Sequence, residues 1–176
     1  MSKNLINEMP VKDAVGPVTR RDGAFVEEKN RNNGTKLLSG NHGNVTLEKP
    51  ATTVTSTPDA TVTKRTTSES SNIIYGMTYE CEGDEPAVRV EAGGSTILIG
   101  CHFTKDANIQ SSSSAYITVA NGGHVACVGC YFYNTQSAGS VIATGGPANS
   151  SSAVGCFNAT GRAHGASVQV VGEVTI

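Results

Sequence analysis

Ile97-Leu-Ile-Gly-Cys-His-Phe103 returns as Ala126-Cys-Val-Gly-Cys-Tyr-Phe132, and this recurrence decides the fold. Two looser copies flank the pair: Ile73-Ile-Tyr-Gly-Met-Thr-Tyr79 before it and Ser152-Ala-Val-Gly-Cys-Phe-Asn158 after it. A second element precedes the last three copies, as Val88-Arg-Val-Glu-Ala-Gly-Gly94, Ile117-Thr-Val-Ala-Asn-Gly-Gly123 and Ser140-Val-Ile-Ala-Thr-Gly-Gly146. Val168-Gln-Val-Val-Gly172 begins a final partial copy. The glycines at 76, 100, 129 and 155 stand 24, 29 and 26 residues apart, a period at which one supersecondary unit stacks on the next. Each unit reads as strand, Gly-Gly turn, strand, bend at Gly-Cys, short strand, and a Ser/Asn-rich loop.

Period-2 alternation within each copy selects an inward set. It is Ile73, Tyr75, Met77 and Tyr79 in the first copy, Ile97, Ile99, Cys101 and Phe103 in the second, and Ala126, Val128, Cys130 and Phe132 in the third. One coil cannot bury such a face alone, whereas coils stacked about 4.8 Å apart make a continuous core of like residues. Parallel strands in one sheet are joined by right-handed crossovers. The reading is an all-β chain in which residues 72–176 form a short right-handed parallel β-helix of about four rungs. Its expected core ladder is Met77, Cys101, Cys130 and Cys156 beside Tyr79, Phe103 and Phe132. The fourth copy slips, with Asn158 at the aromatic position, which marks a bulge or a closing core.

Upstream the pattern changes. Residues 1–40 hold no sustained period, and Pro10, Pro17, Gly16, Gly23 and Gly34 interrupt any helix, so they read as an extended arm with at most one helical turn. Residues 41–71 are rich in Thr and Val, with alternations at Val45-Thr-Leu47, Thr53-Val-Thr55 and Thr61-Val-Thr63, and read as a strand-rich neck or a degenerate first rung. Only 16% of residues are charged, 5% are aromatic and Trp is absent. That suits a β-rich solenoid, whose turns need Gly and Asn and whose surface is wetted by hydroxyls. No apolar run is long enough for a membrane span, and Met1–Pro10 is too polar for a signal peptide.

The G-C-x-F and G-G ladders over residues 72–176 resemble the parallel β-helices of bacteriophage virion proteins, including tailspikes and trimeric capsid decoration (cement) proteins. A charged arm before a small β-helix is more similar to a decoration protein than to a tailspike. The resemblance implies a non-enzymatic homotrimer on the capsid surface, assembled in the host cytoplasm, with the major capsid protein as partner. Leu5, Ile6, Val11, Val15, Val18 and Phe25 are then candidate anchors of a capsid-binding arm. The alternative is a head-fibre, tail-fibre or tailspike component that binds a host surface glycan through Ser/Asn-rich loops, Gln110–Ser114 and Asn149–Ser152, expected at one phase of the repeat.

Candidate chemistry is sparse. Glycoside cleavage needs an acid and a base or nucleophile across one bond, yet after Glu91 the only carboxylates are Asp106 and Glu173. Glu80, Glu82, Asp84 and Glu85 cluster in a single loop and read as a solvated surface. His124-x-x-Cys127-x-x-Cys130 has metal-like spacing, but Cys127 and Cys130 are an odd number of residues apart and should face opposite ways on an extended strand. His102 and His164 have no partners at ligand spacing and read as surface histidines. The short basic pairs Arg20-Arg21 and Lys64-Arg65 lack neighbouring aromatics and make poor nucleic-acid sites. The expectation is no catalytic residue, no metal, no cofactor, no nucleic acid and no membrane.

Overall fold

The computed structural model describes residues 18–20, 26–29, 34–37, 40–47, 52–56, 60–81, 85–105, 115–133, 140–147 and 150–176. Every regular element among them is a strand. The chain begins with β1 (Val18–Arg20), β2 (Val26–Lys29), β3 (Gly34–Leu37), β4 (Gly40–Leu47), β5 (Thr52–Ser56) and β6 (Ala60–Ser68). The repeats follow in tiers. The first contains β7 (Ser71–Tyr75) and β8 (Thr78–Cys81). The next three are β9 (Val88–Val90), β10 (Ser95–Ile99) and β11 (His102–Lys105); β12 (Ile117–Val119), β13 (His124–Val128) and β14 (Tyr131–Tyr133); and β15 (Ile142–Thr144), β16 (Ser151–Val154) and β17 (Phe157–Ala159). The last holds β18 (Val168–Val171) and β19 (Val174–Thr175).

These strands form two curled sheets of mostly parallel pairs. The eight-stranded sheet runs β18-β16-β13-β10-β7-β5-β3-β2. The eleven-stranded sheet runs β15-β12-β9-β6-β8-β11-β14-β17-β19, with β4 and β1 joined to β6. Long β6 pairs with β8 through Thr61 and Val62 and with β9 through Thr66–Ser68, so one strand serves two ladders. Registers agree from tier to tier: Ile97 lies opposite Ile73 on one side and Ala126 on the other. Parallel pairing starts before residue 72, since β3 pairs with β5 and β4 with β6. Strands also form within residues 1–40. There β1 pairs antiparallel with β4, and β2 antiparallel with β3.

The corner between the two sheets corrects the inward set expected from simple alternation. Gly76, Gly100, Gly129, Gly155 and Gly172 all adopt φ near +60°, a left-handed conformation that L side chains rarely take. The chain turns there, so the inward side chains on either side of the glycine are three residues apart rather than two. Facing the core are the residues four and two before each glycine and one and three after it. Asn72, Ile74, Met77 and Tyr79 are buried in the first tier, and Thr96, Leu98, Cys101 and Phe103 in the second. Val125, Cys127, Cys130 and Phe132 follow in the third. Tyr75, Ile97 and Val128, expected inside, are 36–40% exposed. Cys127 and Cys130, expected on opposite faces, both point inward for the same reason.

Like residues stack along the core. The rings of Tyr79 and Phe103 lie 4.8 Å apart and nearly parallel, and those of Phe103 and Phe132 5.0 Å apart. Tyr116 meets Phe103 edge-on and donates its hydroxyl to Tyr133 O at 2.8 Å. In the Gly-Gly turns the second glycine is needed for room. A Cβ on Gly123 would stand 2.7 Å from Glu91 O of the tier below. Asn158 introduces no bulge: it pairs in register with Phe132 and faces inward. The core therefore turns polar at its last tiers.

Candidate functional site

The corner has an inner and an outer side. On the inner side, Met77, Cys101, Cys130 and Cys156 occupy successive tiers and are each at most 1% exposed. The thiols repeat one contact. Cys101 Sγ donates to Ile74 O at 3.6 Å, Cys130 Sγ to Leu98 O at 3.4 Å and Cys156 Sγ to Cys127 O at 3.5 Å. Each acceptor is the carbonyl two residues before the preceding corner glycine. Cys127 joins the column from the side.

Cys130 is the hub of this thiol group. Its hydrogen bond pushes Cys127 well above the ordinary thiol range, with burial adding to the effect, and it pushes Cys156 up in the same way. Cys101 moves down, because the hydrogen bond from Cys130 outweighs burial. Cys101, Cys127, Cys130 and Cys156, four of the chain's five cysteines, are unbridged. Among the described residues no group of three or more His, Cys, Asp or Glu is arranged to hold a metal ion.

On the outer side, the eight-stranded sheet carries two columns free of charge. Tyr75, Ile99, Val128, Val154 and Val171 lie side by side in register immediately before the corner glycines. Ile73, Ile97, Ala126, Ser152 and Gln169 form the second column. In the first column Tyr75, Val128, Val154 and Val171 are 38–49% exposed. Past the corner, Tyr131 and Phe157 stack face to face at 4.9 Å, with His102 tilted against Tyr131 at 5.6 Å. Those rings therefore turn edges, not faces, to solvent.

A polar cluster lies at the C-terminal end of the stack. Glu173 follows Gly172 and so stands where the lower tiers carry Cys or Met. Its Oε2 meets His164 Nε2 at 2.6 Å, with the two side chains 8% and 4% exposed. Asn158 Nδ2 donates to Glu173 Oε1 at 3.2 Å and to Arg162 O at 2.9 Å. Thr160 donates through its N–H and hydroxyl to Asn158 Oδ1. Above this floor opens a concavity of about 600 Å³ whose walls include Val168, Val170 and Thr175. His164 is thus no surface histidine, and what hides it is the tertiary packing of the Arg162–Gly165 segment onto β15 through Val141 and Ile142.

Of the residues singled out from sequence, Met77, Tyr79, Cys101, Phe103, Cys130, Phe132 and Cys156 are brought together in one core. Val18 opens β1, and Leu5, Ile6, Val11, Val15 and Phe25 lie outside the described residues. So do Glu82, Asp84, Asp106 and Gln110–Ser114. Glu85 is paired with Arg65 at 2.6 Å on the surface. Asn149 also lies outside the described residues, whereas Ser151 and Ser152 belong to β16. Asn158, Thr160, Arg162, His164 and Glu173 were missed as a group. The signal for Glu173 was its place after the fifth corner glycine, a carboxylate at an inward position. Comparison with known proteins finds no matching family model, no matching curated protein and no matching solved structure.

Proposed function

We propose that this chain is a non-enzymatic structural protein of a bacteriophage particle, a short right-handed parallel β-helix that trimerises and decorates the capsid. Each glycine-to-glycine repeat supplies strands to parallel ladders in constant register, which supports the β-helix reading. The observation that carries the functional reading is the uncharged outer face of β7, β10, β13, β16 and β18 in the eight-stranded sheet. A column of Tyr75, Ile99, Val128, Val154 and Val171 repeats at tier spacing, so an identical column on a second copy matches it tier for tier. The five strands β7, β10, β13, β16 and β18 at ~4.8 Å by five residues at ~3.3 Å give on the order of 400 Å², about half of the ~800 Å² that each partner of a specific interface buries. An exposed apolar strip of that size marks an interaction site. The major capsid protein is the partner proposed for the residues that precede β1.

Sedimentation equilibrium tests the self-association. The wild type is expected at three times the chain mass, and Val128→Glu with Val154→Glu at one; a monomeric wild type sinks the trimer. For the capsid contact, removing residues 2–17 leaves every described strand in place. Binding of the truncated chain to empty capsids should fall at least tenfold, and unchanged occupancy refutes the arm. Host-glycan binding is the second reading. The stacked outer rings do not favour it, because a sugar lies on a ring face and these faces cover one another.

A further inference from the structure

We infer that the column of Cys101, Cys130 and Cys156 is a binding site for one soft monovalent cation of the Cu(I) class, held in line between Cys130 and a cysteine on the adjacent tier. The three sulfurs are placed alike. Cys101 Sγ lies 3.6 Å from Ile74 O and 3.7 Å from Ile99 O. Cys130 Sγ lies 3.4 Å from Leu98 O and 3.8 Å from Val128 O. Cys156 Sγ lies 3.5 Å from Cys127 O and 3.7 Å from Val154 O. The first carbonyl of each pair belongs to the tier below, the second to the cysteine's own tier. Sulfurs held by the same two contacts on every tier repeat at the tier spacing, about 4.8 Å. The ring stacks have this spacing: Phe103 and Phe132 are 5.0 Å apart, and Tyr131 and Phe157 4.9 Å.

That spacing selects the ion. A metal–thiolate bond is about 2.3 Å long, so an ion midway between two stacked sulfurs is within bonding distance of both without moving the backbone. Linear two-coordination needs only that pair. A tetrahedral zinc ion needs four donors around one point, and among the described residues no group of even three is so arranged. A disulfide needs its sulfurs about 2.05 Å apart, far closer than the tiers bring them. Sulfur donors also select soft ions over hard ones. Met77 occupies the same position one tier earlier, so sulfur residues follow four successive corner glycines in a chain of only five cysteines and three methionines.

The surroundings suit a cation. Six carbonyl oxygens flank the three sulfurs, and the negative ends of these dipoles face the column. Binding forms two metal–sulfur bonds and breaks one S–H bond: a monovalent ion and two thiols give a thiolate–metal–thiol unit, and one proton leaves to solvent. The unit is neutral, and burial in an apolar core penalises any net charge. Entry is at the corner. A Cβ on Gly100, Gly129 or Gly155 would meet no atom within 4 Å, so the backbone beside each cysteine is bare on its outer side. The site lies within one chain and stands apart from the capsid reading.

The probe is Ag(I), an ion of the same class that needs no reductant, titrated as the nitrate in chloride-free buffer into the full chain carrying Cys81→Ser. Native mass spectrometry should show one silver ion per chain, and X-ray absorption two sulfur neighbours. Cys130→Ser should weaken binding at least tenfold. So should Cys101→Ala with Cys156→Ala, which keeps Cys130 and removes both of its column neighbours. Cys127→Ala, outside the column, should bind as the parent does. All are compared as folded chains, with circular dichroism matching the parent. Absence of saturable silver binding overturns the inference. Undiminished binding by Cys130→Ser or by the double variant overturns it, as does loss of binding in folded Cys127→Ala. Three or four sulfur neighbours, or equal affinity for Zn(II), also overturn it.

Discussion

The two ends of the stack are built on opposite principles. At the N-terminal end the sheets finish in antiparallel strands, β1 on β4 and β2 on β3, and β2 carries Glu27, Glu28 and Lys29. Charged residues on an edge strand discourage further pairing. At the C-terminal end the sheets stop in parallel strands, Val168–Val171 and Val174–Thr175, with apolar side chains uncovered. The interior changes along the same direction. Tyr79, Phe103 and Phe132 form an aromatic column that continues as Asn158 and Thr175, and the column of Met77 and three cysteines ends in Glu173. Here the first described strands pair antiparallel, and the last described tier is polar beneath and apolar at its rim.

The largest effect separating the two ends is expected in the aromatic column. Phe103→Ala removes a ring packed between Tyr79 and Phe132, leaving a cavity in a fully buried layer. It should cost about 3–5 kcal/mol, read as a loss of global stability in urea. Retention of the wild-type midpoint would show that the tiers do not share one core. Asn158→Ala acts at the other end. It strips Glu173 Oε1, Arg162 O and the Thr160 donors of their common partner. An expected cost of about 1–3 kcal/mol follows from stranding buried polar groups. That loss should appear as faster amide exchange at Val174 and Ile176 with Ile97–Ile99 unchanged; uniform acceleration would mean that the last tier is not a separate layer.

The smallest effect is on pH. Cys127 and Cys156 are raised by their hydrogen bonds to Cys130 and by burial, so the fold favours their neutral thiols. Unfolded thiols ionise near pH 8.5. The stabilisation is therefore complete below about pH 8.5 and declines as pH climbs toward the folded values. Cys101, shifted the other way, opposes part of it. The urea midpoint should fall between pH 8 and pH 10, and Cys127→Ala with Cys156→Ala should flatten that slope. A wild-type midpoint independent of pH across this range would contradict the buried-thiol hub.

Much of the repeat was legible in the amino-acid order. Spacing of Gly76, Gly100, Gly129 and Gly155 identified the units, and the residues after each glycine alternated as expected, placing Met77, Tyr79, Cys101, Phe103, Cys130 and Phe132 inside. The residues before each glycine were inverted. Alternation by two holds only while the backbone stays extended, and a left-handed glycine resets it. Nothing in the letters alone distinguishes a glycine at φ +60° from one inside a strand. The polar end escaped for a different reason. His164 and Glu173 are nine residues apart and meet only because the Arg162–Gly165 segment packs onto β15 while Gly172 turns Glu173 inward.

Sequence by itself determined that this chain is a β-rich stack of repeated units, since periodic glycines and β-branched residues admit no helix and one unit alone cannot bury its apolar face. Tertiary structure alone decided which half of each strand faces the core, that three thiols converge on Cys130, and that Glu173 meets His164 at the last tier. Each of those outcomes depends on where one tier lies relative to the next, and that relation arises only when distant segments pack.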